Sequence, residues 1–315
     1  MRSGEPNLSL LHELAPEAER LLERHLATAQ EWFPHEFVPW SRGRDFQAGE
    51  EWDPGVYPVP DAVRSALFVN LLTEDNLPYY FRTIERLLGA DGPWGEWVRR
   101  WTAEEGRHAM VIRDYLTVTE ALDPVELERG RMQQVSHGVT PEPPTQAEVM
   151  VYVALQELAT RISHRGTGKV LEDPAGYRVM ARVAADENLH FLFYRDLVSA
   201  ALQVFPSTMV MAIERQVRDF EMPGTGIAGF TDHAKAIAKA GIYDVRIHHE
   251  QILVPVVLRD WRVTQLAGLS DDAERARDAL VHRIDRIGRA GRRMAERAAE
   301  RAQADESSES VAAAG

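Results

Sequence analysis

The sequence contains two Glu-x-x-His segments, Glu105-Gly106-Arg107-His108 and Glu187-Asn188-Leu189-His190. Positions i and i+3 share a face of a helix, so each segment can aim a carboxylate and an imidazole at one point. The two histidines are 82 residues apart. Glu74 precedes Glu105 by 31 residues, and Glu157 precedes Glu187 by 30. The chain thus repeats one arrangement: a helix that gives Glu, then a helix that gives Glu-x-x-His. A separation of about thirty residues lets one helix run out, turn and return antiparallel at the same height. Four such helices present four glutamates and two histidines at one level of a bundle. That is the donor set of a carboxylate-bridged di-iron or di-manganese site. Four carboxylates neutralise two divalent ions in a dry core, and each imidazole serves one metal. A lone Glu-x-x-His is usually structural coincidence. Two of them, each with a glutamate at matched distance upstream, outweigh the alternative of surface charges on a helical bundle.

The composition narrows the function classes. There is no cysteine, which excludes a disulfide framework, a cysteine nucleophile and any thiolate metal site. A metal here must be held by nitrogen and oxygen. The 315 residues carry 36 Lys+Arg against 49 Asp+Glu, a formal net charge of −13. That balance argues against nucleic acid as the main partner. Met1 to Leu14 lacks the apolar run of a signal peptide. The most apolar stretch, Val149 to Leu155, is about a third of a membrane span. The expectation is a cytoplasmic protein that is not an integral membrane protein.

The elements that must hold the six donors read as helices nearly throughout. Leu10, Leu11, Leu14, Leu21, Leu22 and Leu26 recur at three- and four-residue steps. Residues 32–58 then form a long Pro- and Gly-rich loop that carries Trp32, Trp40 and Trp52. One long helix is expected from Asp61 to near Gly89, and another from about Trp94 to Ala121. Asp123-Pro124 and Asp173-Pro174 open two more. Thr145-Gln146-Ala147-Glu148 reads as a capping box for a helix reaching about Thr167. Later helices are expected over 207–220, 231–240, 243–265 and 271–302. Nothing reads as a strand or a hairpin. The expected organisation is one domain over 1–303 and a disordered tail over 304–315. The helix that begins Val149-Met150-Val151-Tyr152-Val153-Ala154-Leu155 is apolar all round, as a helix buried in mid-bundle is. It also bears Glu157, and a buried carboxylate needs a partner or a metal.

The flanks of the donors carry a family likeness. Thr73-Glu74-Asp75-Asn76-Leu77-Pro78, Trp101 to His108, Gln156 to His164 and Ala185 to His190 closely resemble the soluble acyl-[acyl-carrier-protein] desaturases, the plant stearoyl-type enzymes and their actinobacterial relatives. The resemblance continues through Glu221-Met222-Pro223 and Arg262-Val263 to Leu266-Ala267-Gly268-Leu269-Ser270, and so spans most of the chain. It implies an all-α, ferritin-like helical bundle with a four-helix di-iron core and extra flanking helices, usually a homodimer. It implies an oxidoreductase of fatty acid biosynthesis with two Fe ions per subunit. Such an enzyme uses O2 and electrons from ferredoxin to place a cis double bond in a fatty acyl chain held on acyl carrier protein.

Carried over residue by residue, Glu74, Glu105, His108, Glu157, Glu187 and His190 resemble the six iron ligands, with Glu105 and Glu187 bridging. Asp186 resembles the carboxylate that orients a ligand histidine, with Trp40 the next member of an electron-transfer path. A plain core aromatic is the alternative for Trp40. Thr160 resembles the hydroxyl beside the oxygen site; a hydroxyl bonded only to helix carbonyls is its alternative. Thr73, Thr83, Val149, Met150 and Tyr152 are candidates for the acyl channel, with core packing as the competing account. The plant enzymes are longer after the Met-Pro pair and at the C-terminus, so their carrier docking and dimer edge do not transfer directly.

Other readings are weaker. Gly224-Thr225-Gly226-Ile227-Ala228-Gly229 fits a dinucleotide fingerprint, but no strand precedes it. His248-His249 reads as surface. Iron storage fits poorly with so long a chain. Another di-iron oxidase or hydroxylase and a catalytically silent relative remain as alternatives. From Val281 to Arg301, Arg283, Arg286, Arg289, Arg292, Arg293, Arg297 and Arg301 stand against only Asp285, Glu296 and Glu300. This basic stripe could steer an acidic carrier protein, or be an ordinary solvated face.

Overall fold

Caps and prolines set the helix boundaries. The computed structural model describes the backbone of residues 5–140 and 143–313, and the side chains of 10–140 and 143–300. Among these, every regular element is helical. The helices are α1 (Glu5–Thr28), α2 (Asp61–Glu74), α3 (Leu77–Leu88), α4 (Gly92–Thr119), α5 (Pro124–His137) and α6 (Gln146–Val170). Then come α7 (Pro174–Val204), α8 (Pro206–Arg218), α9 (Phe230–Lys239), α10 (Val245–His248) and α11 (Asp271–Ala313). Asp123 and Asp173 accept first-turn amides of α5 and α7, satisfying donors a helix start leaves free. Thr145 does the same for α6 through the Glu148 amide. The capping box is only half formed, because the Glu148 carboxylate turns away to Arg215.

α6 and α7 lie side by side along most of their length, and α2 and α4 complete the group around them. Ala147 through Leu155 are all buried, as a helix apolar all round requires. α1 lies across α4 and α7 on one side, with His25 at its end pointing inward. α8 and α11 close another side of the core, and α9 covers α2.

Three expectations need correction. The long helix over 61–89 is two helices, α2 and α3, broken at Asp75-Asn76. Pro78 has no amide hydrogen and its ring would clash with the carbonyl of Glu74, so α2 must stop there. The expected helix over 243–265 is α10 followed by a wide π-type helix, His249–Asp260, and a 3-10 turn, Val263–Gln265. His248 is not a surface residue: Tyr243 Oη lies 2.8 Å from its Nδ1, and Phe220 packs on its ring. Burial holds its pKa down at about 4.

Asp173 fastens the start of α7 to its surroundings. It accepts from the amides of Ala175 and Gly176, from Tyr115 Oη at 2.9 Å and from Arg42 Nη1 at 3.0 Å. A side chain on Gly176 would strike Leu171 and the Tyr115 hydroxyl, so only glycine permits this approach. Burial pushes the Asp173 carboxyl up, but the bonds from Arg42 and Tyr115 prevail and hold it at about 2. Its folded pKa is depressed, so its stabilisation is present above the unfolded value near 3.9 and is lost as pH falls through the folded one. Asp173→Ala is expected to cost about 1–3 kcal/mol at pH 7. Urea denaturation across pH should show that difference shrinking as the pH is lowered below about 4.

Candidate metal centre

The six donors come from four helices and meet at one level. Glu74 closes α2, Glu105 and His108 share a face of α4, Glu157 lies midway along α6, and Glu187 and His190 share a face of α7. All six are buried. Their donor atoms form two overlapping groups, within each of which the ligand atoms lie within 4.8 Å of one another. One contains Glu74, Glu105, His108 and Glu187, the other Glu105, Glu157, Glu187 and His190. Glu105 and Glu187 belong to both, which is what bridging carboxylates do.

The imidazoles are aimed. His108 Nδ1 faces Glu187 Oε1 at 3.4 Å and Glu105 Oε2 and Glu74 Oε2 at 3.6 Å. His190 Nδ1 faces Glu105 Oε1 at 2.8 Å and Glu157 Oε2 at 3.4 Å. Neither Nδ1 makes a hydrogen bond, and neither do Glu105 Oε1 and Glu157 Oε2, although all are buried. Buried polar atoms are rarely left so. Unpaired nitrogen and oxygen converging on shared points fit metal ions.

The electrostatics agree. Burial pushes all four ligand carboxyls up, and neighbours then divide them. The nearby imidazole of His108 and the hydrogen-bonded one of His164 bring Glu74 well below the usual carboxylate range, and His108 lowers Glu187. Burial and the charge of Glu187 leave Glu105 raised, and burial with Glu187 and Glu105 leaves Glu157 well above normal. Burial opposes charge on His108 and His190, yet Glu105 and Asp186 on one, and Glu104 and Glu105 on the other, raise both well above normal. A cluster that gathers protons on glutamates and histidines is built to hold positive charge. Two divalent cations supply it without protons.

A further set of residues fixes the donors, and it crosses between the halves. His164 Nε2 is 2.8 Å from Glu74 Oε1. Trp101 Nε1 donates to Glu157 Oε1 at 3.0 Å. Thr160 Oγ1 is 2.8 Å from Glu187 Oε2, closer than to the helix carbonyls of Glu157 and Gln156. The far nitrogens of the histidines face carboxylates from the opposite half. His190 Nε2 is hydrogen-bonded to Glu104 Oε2 at 2.9 Å, a contact that fixes the tautomer and the ring direction. His108 Nε2 faces Asp186 Oδ2 at 3.5 Å, a charge pairing without a hydrogen bond. Burial pushes the Asp186 carboxyl up, but His108, Arg182 and Trp32 hold it at about 2.

Trp40 is not the partner of Asp186. Its ring is half exposed, and its Nε1 donates to the backbone carbonyl of His35. Trp32 takes the place instead: it is buried, donates to Asp186 Oδ2 at 2.7 Å, and carries the guanidiniums of Arg107 and Arg182 on its faces. Trp32, Trp40 and Trp52 share one loop, and no sequence signal separates them. Glu104 did carry a signal, because it precedes Glu105 as Asp186 precedes Glu187. Thr83, Val149 and Tyr152 line one narrow cleft with Tyr80, Ile84 and Gln156. Thr73 and Met150 do not line it. Thr73 lies under Gly224, and Met150 is packed in the main core.

These features define a class that the comparisons bear out. The family model "Fatty acid desaturase" matches residues 6–312, and the chain belongs to that family. A protein provisionally named acyl-[acyl-carrier-protein] desaturase DesA1, from Mycobacterium tuberculosis (strain ATCC 25618 / H37Rv), is 43% identical over 285 residues, 87% of this chain and 84% of that one. Acyl-[acyl-carrier-protein] desaturase 6, chloroplastic, from Oryza sativa subsp. japonica is 36% identical over 265 residues, 78% of this chain and 62% of that one. The solved structure of the provisionally named acyl-ACP desaturase DesA2 from Mycobacterium tuberculosis H37Rv superposes with a TM-score of 0.70 at 28% identity, covering 85% of this chain and 99% of that chain. The fold is the ferritin-like helical bundle.

Trp32→Phe leaves buried Asp186 without its closest neutral donor. It should destabilise the protein by about 1–3 kcal/mol, whereas Trp40→Phe should stay within about 0.5 kcal/mol. Denaturant titration of the two variants side by side checks this.

Proposed function

We propose that this chain is an acyl-[acyl-carrier-protein] desaturase, with residues 1–303 as the desaturase domain. The observation that carries the reading is the pair of four-residue donor groups sharing Glu105 and Glu187, in a chain of the fatty acid desaturase family. Two Fe ions fit these donors: Glu74 and His108 would hold one and Glu157 and His190 the other, with Glu105 and Glu187 available to both. When bound, the iron pair would activate O2, the oxidant that breaking an unactivated C–H bond demands, which no side chain can do.

The chain's own residues do the rest. His164 and Trp101 hold Glu74 and Glu157 in place. Thr160 keeps a hydroxyl proton at Glu187 Oε2, where O2 chemistry consumes protons. Asp186 and Glu104 keep the histidine Nδ1 atoms turned inward. The narrow cleft of Thr83, Val149 and Tyr152 is the proposed path of the acyl chain; its lining is mostly apolar, and it must widen to admit the chain.

The substrate in this reading is a fatty acyl chain on acyl carrier protein, in fatty acid biosynthesis, with a ferredoxin as electron donor. The protein acts as a cytoplasmic homodimer. Among the described residues no helix is long and apolar enough to cross a membrane. An acidic carrier has a complementary surface on α11. Arg286, Arg289, Arg292, Arg293 and Arg297 are exposed there, while Ala273, Leu280 and Ile284 face the core.

Purified protein, given iron under reducing conditions, should bind about two Fe per chain. With acyl-carrier substrate, reduced ferredoxin and O2 it should form an unsaturated product, and Glu105→Ala and His190→Ala should abolish it. Failure to bind iron under those conditions would refute the reading. A triple variant, Arg286→Gln, Arg289→Gln and Arg293→Gln, should raise KM for the carrier substrate about tenfold at low salt, with the gap closing as salt screens the charges. An unchanged KM at low salt would remove α11 from the docking surface.

A further inference from the structure

His25 has no part in the donor groups, yet it is 3% exposed in the middle of the bundle. It lies in the last turn of α1, and α1 supplies none of the six donors. Its Nε2 is 2.9 Å from Glu104 Oε2, the same oxygen that His190 Nε2 approaches at 2.9 Å. Its ring lies 5.8 Å from the His190 ring at an interplanar angle of 26°, and the edge of Trp97 closes the other side at 5.1 Å. His25 Nδ1 has no hydrogen-bond partner. The tautomer with its proton on Nε2 therefore leaves no buried N–H unpaired, and makes His25 a donor to Glu104.

This repeats, in the other half of the site, what Trp32 does. Trp32 Nε1 donates to Asp186 Oδ2 at 2.7 Å, and Asp186 faces His108 Nε2. His25 faces Glu104 Oε2, and Glu104 faces His190 Nε2. Both outer residues belong to one stretch of chain, seven residues apart. The N-terminal segment thus reaches both histidine donors, each through one buried carboxylate.

We propose that His25 is a positioning residue for His190: by donating to Glu104 it fixes the carboxylate that turns the His190 ring toward the metal. The proposal rests on the metal reading given above. Glu104 has a long, flexible side chain, and its other oxygen is 2.5 Å from Arg100, whose side chain is 39% exposed. Without the buried donor, that solvent-facing arginine can draw the carboxylate outward, and the His190 ring loses its fixed direction. The three residues could also be read as a third metal site, since their donor atoms lie within 4.8 Å of one another. The distances argue otherwise. Both nitrogens sit at hydrogen-bond length from one oxygen, and His190 turns its other nitrogen to Glu105 and Glu157.

The test is anaerobic titration of the full chain with Fe(II), following stoichiometry, affinity and the Mössbauer signals of the two iron positions. His25→Leu removes the donor. His25→Gln returns an N–H at similar reach. The wild type should bind two Fe. In His25→Leu one position should weaken about 10- to 100-fold with one iron signal altered, and His25→Gln should recover most of the loss. In a Glu104→Gln background, His25→Leu should have little further effect, because the two act in series. The proposal is overturned if His25→Leu binds both irons as the wild type does. It is equally overturned if both positions weaken alike in the Leu and Gln variants in step with a lower Tm, which marks a packing role only. A stoichiometry of three that falls to two in His25→Leu would make the cluster a metal site instead. Absence of iron binding in the wild type would sink the metal reading itself, and is distinct from these outcomes.

Discussion

Four carboxylates and two imidazoles crowd one level of this bundle, out of reach of water. Burying an ionised carboxylate without compensation costs far more than a domain's net stability. The rest of the structure follows from meeting that cost. Cations held at the centre would balance the charge, and the surrounding helices must keep the donors apart and correctly turned. The raised Glu105 and Glu157 and the raised histidines express the same demand in protons.

The solution is a set of buried clamps placed across the two halves. α6 supplies His164 and Thr160 to donors on α2 and α7, and α4 supplies Trp101 and Glu104 to donors on α6 and α7. Asp186 on α7 answers for His108 on α4. No half can be correctly formed without the other, which makes the metal level a cooperative unit. The break between α2 and α3 serves the same end. Pro78 forces α2 to finish at Glu74, so this donor sits at a helix end. Along α6 the division of labour runs with the chain. Its first part is apolar on all sides, and polar clamps begin at Glu157.

Much of this could be read before any coordinates. The all-helical character follows from three- and four-residue apolar steps, and the six donors from a repeated spacing of Glu with Glu-x-x-His. Thr160 follows Glu157 by three residues, so helix periodicity put it at the site, whereas Asp186 came from the family likeness. Glu104 stands before Glu105 as Asp186 stands before Glu187. The Asp61–Gly89 segment looked continuous because its apolar pattern runs across Pro78, and only the clash at Glu74 ends it.

By itself the sequence determined what is periodic: helix type, helix order, the identity of the donors and the absence of thiolate chemistry. Those properties depend on residues a few positions apart or on a repeated interval. Tertiary structure decided which distant side chain meets each donor. Trp32 rather than Trp40 reaches Asp186, and His25 reaches Glu104, because α1 and the loop after it are laid across α4 and α7 by packing. No spacing encodes that contact. It is fixed only when the helices dock and one indole and one imidazole are buried beside carboxylates that need them.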